Sequence, residues 1–164
     1  MYTLNRRKMY LKMKKGFTLI ELLVVVSIIG ILTTLVFANL NSARERGRDA
    51  QRKSDLSNIR TALRMYYNDK SEYPSNNASG EILGCGNLGT TLCTWGEKWS
   101  VGNNTYMGVL PADPLISQAY RYQVDADFES FTLSTCLENK SDDKGITTDD
   151  LDWCITGWMY QIVP

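Results

Sequence analysis

The feature that most constrains this chain is the stretch Phe17–Leu40, FTLIELLVVVSIIGILTTLVFANL, whose only charge is Glu21. As a helix it would extend about 36 Å, enough for a hydrocarbon core of about 30 Å. Three readings compete for it. A cleavable signal peptide has the same basic-then-apolar order, but its apolar region is usually about 7–15 residues. The small-residue cleavage site on offer, Val36-Phe37-Ala38, is also a poor one. A buried helix of a globular domain rarely lacks a polar face over this length. A spanning helix fits best.

Charge is segregated around that stretch. Of the 164 residues, 18 are basic and 18 acidic, so the net charge is zero. Yet residues 1–16 carry +6, residues 17–64 carry +3 and residues 65–164 carry −9. The six leader cations favour a cytoplasmic leader, while Arg44, Arg46, Arg48, Arg52 and Lys53 beyond the apolar run pull the other way. Cysteine usage helps decide, because Cys85, Cys93, Cys136 and Cys154 all lie in the distal region. An even number in a small domain suits an oxidising compartment outside the cytoplasm. There is no histidine, which excludes Ser-His-Asp and Cys-His catalysis and histidine-based zinc sites within the chain. The acidic distal region argues against nucleic-acid binding there, since phosphate affinity rests largely on Lys and Arg.

Glu21 needs an explanation, because a carboxylate in a membrane-embedded helix costs up to roughly 2.5–3.5 kcal/mol near the centre and less toward an end. It either snorkels to the interface, four residues after Phe17, or meets a cation on another molecule, and charge alone leaves both open. The junction adds more. Lys15-Gly16-Phe17-Thr18-Leu19-Ile20-Glu21, followed by Leu22-Leu23-Val24-Val25-Val26, resembles the class III signal of type IV prepilins and pseudopilins. Basic leader, glycine, hydrophobic residue, glutamate four residues further and apolar helix are all present in order. The resemblance implies that a membrane aspartyl prepilin peptidase cuts between Gly16 and Phe17 and methylates the new Phe17 amine. It also implies that Glu21 then pairs with the Phe17 amine of a neighbouring subunit, a buried pair that acts chiefly as a register device. Many relatives carry a proline about twenty residues past the cut, where this chain has Ala38; Gly30 or Gly47 could soften the helix instead.

Beyond the apolar run, Asn41 to Asp69 reads as a continuation of the helix. Leu56, Ile59, Leu63 and Tyr66/Tyr67 form a stripe able to seat a sheet. Arg44 to Lys53, charged all round, reads as a solvated stretch before assembly. Pro74 ends the helix. Residues 75–104 read as a loop with short irregular structure. Tyr120–Val124 and Phe131–Leu137 alternate as strands joined by Asp125-Ala126-Asp127 into an antiparallel hairpin, and Trp153–Val163 supplies a final strand. The fold class is therefore α+β. It matches the type IV pilin fold that the resemblance implies: a long N-terminal helix, transmembrane and then amphipathic, on a small antiparallel head with disulfide-stapled loops. The expected divisions are 1–16 as a cleaved cytoplasmic leader, 17–40 as the transmembrane and assembly helix, 41–69 as its amphipathic continuation and 70–164 as the extracytoplasmic head.

Four cysteines allow three pairings. A local Cys85–Cys93 bridge and a Cys136–Cys154 bridge closing a carboxy-terminal loop, the latter as in many pilins, are favoured over metal ligation. In that loop Asp142, Asp143, Asp149, Asp150 and Asp152 crowd around Gly145. Its layout, with Leu110-Pro111-Ala112-Asp113-Pro114 before it, is similar to the major pseudopilin of type II secretion, and this implies calcium on Asp142, Asp143, Asp149 and Asp150. A plain solvated acidic loop ranks ahead of that reading, and no cofactor is required.

The functional expectation is a non-enzymatic filament subunit polymerised through its N-terminal helix. Its implied partners are copies of itself, related minor pilins, the prepilin peptidase, an inner-membrane assembly platform and, before assembly, the lipid bilayer. It would be a single-pass protein of the cytoplasmic membrane and, once assembled, part of a surface filament or an envelope pseudopilus. The main rival is a type II secretion or competence pseudopilin forming a short, envelope-confined pseudopilus. A rival of another class is a signal-anchored enzyme using Asp125 and Asp127 as paired carboxylates, although aspartate is ordinary in such a turn.

Overall fold

A computed structural model describes residues 16–164, with the side chains of Leu35, Ala38 and Asn39 outside the description. The expected leader lies outside the described residues except for Gly16. The chain divides into two compact units, Met1–Leu40 and Asn41–Pro164.

In the first unit, the helix α1 (Leu19–Lys70) begins two residues after Phe17. The described apolar side chains from Leu19 to Phe37 are all exposed, Val24 least at 46%. Its few hydroxyls turn back onto the helix's own carbonyls. Ser27 donates to Val24 O (2.7 Å), Thr33 to Ile29 O (2.7 Å) and Thr34 to Ile31 O (2.7 Å). Such bonding hides the polar atoms, so the outer surface of this segment is apolar. Among the described residues no helix is long and apolar enough to cross a membrane.

In the second unit, the distal part of α1 seats nine short strands: β1 (Ser75–Asn76), β2 (Ile82–Cys85), β3 (Thr91–Leu92), β4 (Trp99–Val101), β5 (Asn104–Met107), β6 (Arg121–Val124), β7 (Phe131–Cys136), β8 (Ile146–Thr147) and β9 (Trp158–Ile162). They form three antiparallel sheets, ordered β1-β2-β3, β4-β5 and β6-β7-β9-β8. This is the α+β architecture expected from the sequence. The stripe Leu56, Ile59, Leu63 and Tyr66 is buried to 5% exposure or less. It packs in one core with Ile82, Trp99, Tyr106, Tyr120, Tyr122, Phe131, Leu133 and Ile162. Two buried aromatic polar atoms find backbone partners: Trp99 Nε1 donates to Gly84 O (2.8 Å) and Tyr122 Oη to Pro74 O (2.7 Å).

Three expectations are corrected by the structure. Residues 75–104, expected as a loop with short irregular structure, hold the short paired strands β1 to β4 and the first residue of β5 between their turns. Strands of two to four residues carry too little periodicity to be read in isolation. The turn between β6 and β7 runs on to Ser130: the Asp125 N–H donates to Ser130 O (3.0 Å) and Phe128 adopts a left-handed φ of 59°. The Phe128 carbonyl holds that turn against the helix end by accepting from Tyr73 N–H (2.9 Å). The third correction concerns the charged stretch Arg44–Lys53.

Candidate functional site

At the N-terminal end, no described atom lies within 4 Å of where a Cβ on Gly16 would stand. Packing among the described residues therefore does not call for glycine there. Phe17 is 82% exposed. Thr18 and Glu21 then form a reciprocal cap. The Thr18 N–H and hydroxyl donate to Glu21 Oε2 at 2.9 and 2.7 Å, and the Glu21 N–H donates to Thr18 Oγ1 at 3.3 Å. This is a capping box, with Thr18 as N-cap and Glu21 at the third helical position, where a carboxylate also suits the positive end of the helix dipole. From sequence, Glu21 has the interface or another molecule to meet; the structure adds Thr18 of its own chain. The Thr-x-x-Glu spacing before an apolar run was the signal that could have found it. Phe17, Ile20, Glu21, Val24 and Val25 line an open groove along this end of the helix.

In the head, the stretch expected to be solvated is in part buried. Asp49 and Arg52 are 2% and 0% exposed. Arg52 forks onto Asp113, with Nε to Oδ2 at 2.8 Å and Nη2 to Oδ1 at 2.9 Å. Its Nη1 donates to Asp49 (2.8 Å) and Glu138 (2.7 Å). Arg48 adds a second hold on Glu138 through Nε (2.7 Å). Asp49 in turn accepts from the backbone N–H groups of Glu138 (3.0 Å) and Asn139 (2.8 Å). The helix is thereby tied to the Leu110–Pro114 segment and to the chain leaving β7. The hydrogen bond from Arg48 holds the Glu138 carboxyl below the usual carboxylate range. One turn further, Tyr120 Oη donates to Asp55 (2.8 Å); burial raises both the Tyr120 hydroxyl and the Asp55 carboxyl. The missed signal is spacing: residues 49, 52, 56, 59, 63 and 66 continue one helical face, so Asp49 and Arg52 fall on the buried stripe as an opposite-charge pair.

Disulfides join Cys85 to Cys93 (S–S 2.11 Å) and Cys136 to Cys154 (2.13 Å). Within the second loop the aspartates part company. Asp142 binds Lys53 Nζ at 2.5 Å, and that contact holds its carboxyl below the usual range. Asp150 pairs with Arg121, which likewise lowers it, and Arg121 stacks over the Trp153 ring at 4.6 Å. Asp143 and Asp149 are exposed. Among the described residues no three acidic or sulfur side chains converge in a metal-binding group. Asp125 and Asp127 sit in an exposed turn, where Asp127 Oδ1 accepts from the Glu129 N–H (3.3 Å) as an ordinary turn aspartate does.

Residues 11–37 match the prokaryotic N-terminal methylation motif, and residues 39–153 match type II secretion system protein G. The chain is 32% identical over 149 residues to the type II secretion system core protein G of Vibrio cholerae, covering 88% of this chain and 96% of that one. The protein of the same name from Escherichia coli is 36% identical over 101 residues, covering 62% of this chain and 66% of its own. The type IV wide pilus major component PilA4 of Thermus thermophilus is 43% identical over 70 residues, covering 43% of this chain and 53% of its own. No solved structure is a significant match.

Proposed function

Because the chain belongs to the family of type II secretion system protein G and carries the prokaryotic N-terminal methylation motif, we propose that it is a non-enzymatic structural subunit of a type IV pilus-like filament. In this reading residues 1–16 are a leader cut off after Gly16, and Phe17 becomes the methylated amino terminus. Residues 17–40 anchor the subunit in the membrane as a single span and later pack in the filament core. Residues 41–69 carry the helix on into the head, 70–164. The observation that carries the proposal is the sequence of events at one end of the chain: an uncrowded glycine, an exposed Phe17, a capped Glu21, then an apolar helix surface with no cover of its own. A surface this apolar needs lipid or other helices against it. A contact between copies that repeats without closing grows a filament. The partners that go with it are further copies, related minor pilins, the prepilin peptidase and an inner-membrane assembly platform.

The family match over residues 39–153 also favours a second reading, a short envelope-confined pseudopilus. Mass spectrometry of the amino terminus separates the two. Methylated Phe17 concentrated in material sheared from intact cells marks a surface pilus, and the same terminus confined to the cell-retained fraction marks a pseudopilus. An intact Met1 terminus in every fraction, with the peptidase active, would overturn both.

A further inference from the structure

The resemblance to the major pseudopilin implies calcium in the loop between Cys136 and Cys154, and the donor set in this chain does not fit it. Calcium takes six to eight oxygens gathered on one point. Here the four acids implied as ligands lie in two groups, Asp142 and Asp143 before β8 and Asp149 and Asp150 after it, with Asp152 beyond the second, and β8 is held in the sheet by Ile146↔Met159 and Thr147↔Trp158 pairing. In each group the acid turned toward the protein already has a cation. Asp142 takes Lys53 of α1, whose ammonium also lies 5.4 Å over the Tyr160 ring. Asp150 takes Arg121 of β6, whose guanidinium stacks on Trp153. Each carboxylate has a second use within the loop, Asp142 Oδ1 accepting from Lys144 N–H (3.0 Å) and Asp150 Oδ1 from Trp153 N–H (3.2 Å).

The glycine at the centre of the acids has its own explanation. A Cβ on Gly145 would stand 1.8 Å from Trp158 Nε1, so the residue is small because an indole lies across it, and its φ is not left-handed. A tight cation-binding turn is not what requires it.

We infer that Lys53 and Arg121 are built-in counter-cations that clamp the acidic loop to the helix and to β6, so that the loop keeps its shape without a divalent ion. Lys53 and Asp142 are 23% and 16% exposed, Arg121 and Asp150 28% and 43%. The Lys53 clamp is accordingly the stronger, since solvent screens the more exposed pair.

The test uses the full chain in detergent micelles and follows thermal unfolding and protease cleavage between residues 137 and 153, with millimolar calcium or with a chelator. Unchanged melting and cleavage between calcium and chelator, with several-fold faster cleavage in Lys53→Met and a smaller increase in Arg121→Met, is the expected result. A saturable rise in melting temperature with calcium in the unaltered chain overturns the inference. So does equal protection of the loop in both variants. Should Lys53→Met fail to fold, the unaltered chain still decides: raising monovalent salt screens partly exposed ion pairs and should speed loop cleavage in chelator, and cleavage indifferent to salt counts against the clamp.

Discussion

At the residue scale, the arginine at 52 shows how a buried charge is tolerated. Its guanidinium is fully covered, yet its donors reach Asp113, Asp49 and Glu138. Truncating one member of such a cluster leaves the others buried and unpaired, which typically costs about 3–5 kcal/mol. Arg52→Ala is therefore expected to lower the midpoint of urea unfolding sharply, and Arg52→Lys to recover only part of it, because an ammonium cannot fork onto Asp113. Equal stability of Arg52→Ala and the unaltered chain would show that the cluster is not what ties the segments together. Acid should loosen the same region. The Glu138 and Asp142 carboxyls are lowered in the folded state, by Arg48 and Lys53 first. Their contribution is fully present above the unfolded-state values, about pH 4. It is lost as pH falls through the lowered folded values. Asp55, raised by burial, works the other way, and its protonation relieves a strain rather than adding one. Melting temperature measured from pH 6 downward should fall below about pH 4, and less steeply in Glu138→Gln.

At the scale of elements, α1 does two jobs with one backbone. Its first part exposes apolar side chains around its circumference, while from residue 49 onward it keeps one buried face at alternating three- and four-residue spacing. The second job needs the head's sheets, because a helix gains most of its stability from packing rather than propensity. The loop closed by Cys136–Cys154 has little apolar cover of its own: Ile146 and Leu151 are 43% and 58% exposed. Its order rests on the disulfide, the ion pairs and β8. Replacing Cys136 and Cys154 together by Ala should destabilise the head by about 2–4 kcal/mol. Protease cleavage should then concentrate between 137 and 153 rather than spread over the head, as mapping the fragments would show; cleavage spread evenly would mean that the bridge supports the whole head.

For the whole molecule, the proposed assembly rests on the N-terminal unit, whose described apolar side chains are exposed. Glu21 is the residue on which the assembly reading turns. Its carboxylate is occupied by Thr18 within the chain, so pairing with a neighbour's Phe17 amine would add to or replace an existing cap. Glu21→Ala should be processed at Gly16 as before, yet yield few filaments in sheared fractions. Thr18→Val, which removes the hydroxyl but leaves the carboxylate, should be the milder of the two. Normal filament yield from Glu21→Ala would remove this residue from the assembly account.

The sequence by itself determined what is local or patterned. The apolar run, the glycine junction and Glu21 are written as contiguous residues. The stripe Leu56–Tyr66 and the β6–β7 hairpin follow from periods that any window along the chain displays. Charge defeated the same method at Asp49 and Arg52, which share the buried face. An ionised side chain is read as exposed unless its partners are known, and Asp113 and Glu138 lie some sixty and ninety residues away along the chain. Only the tertiary structure could bring them together. It also decided the fate of the acidic loop. Composition counts the aspartates, but which of them meet a lysine or an arginine depends on how α1, β6 and β9 pack, and that packing gives Asp142 and Asp150 cations from within the chain.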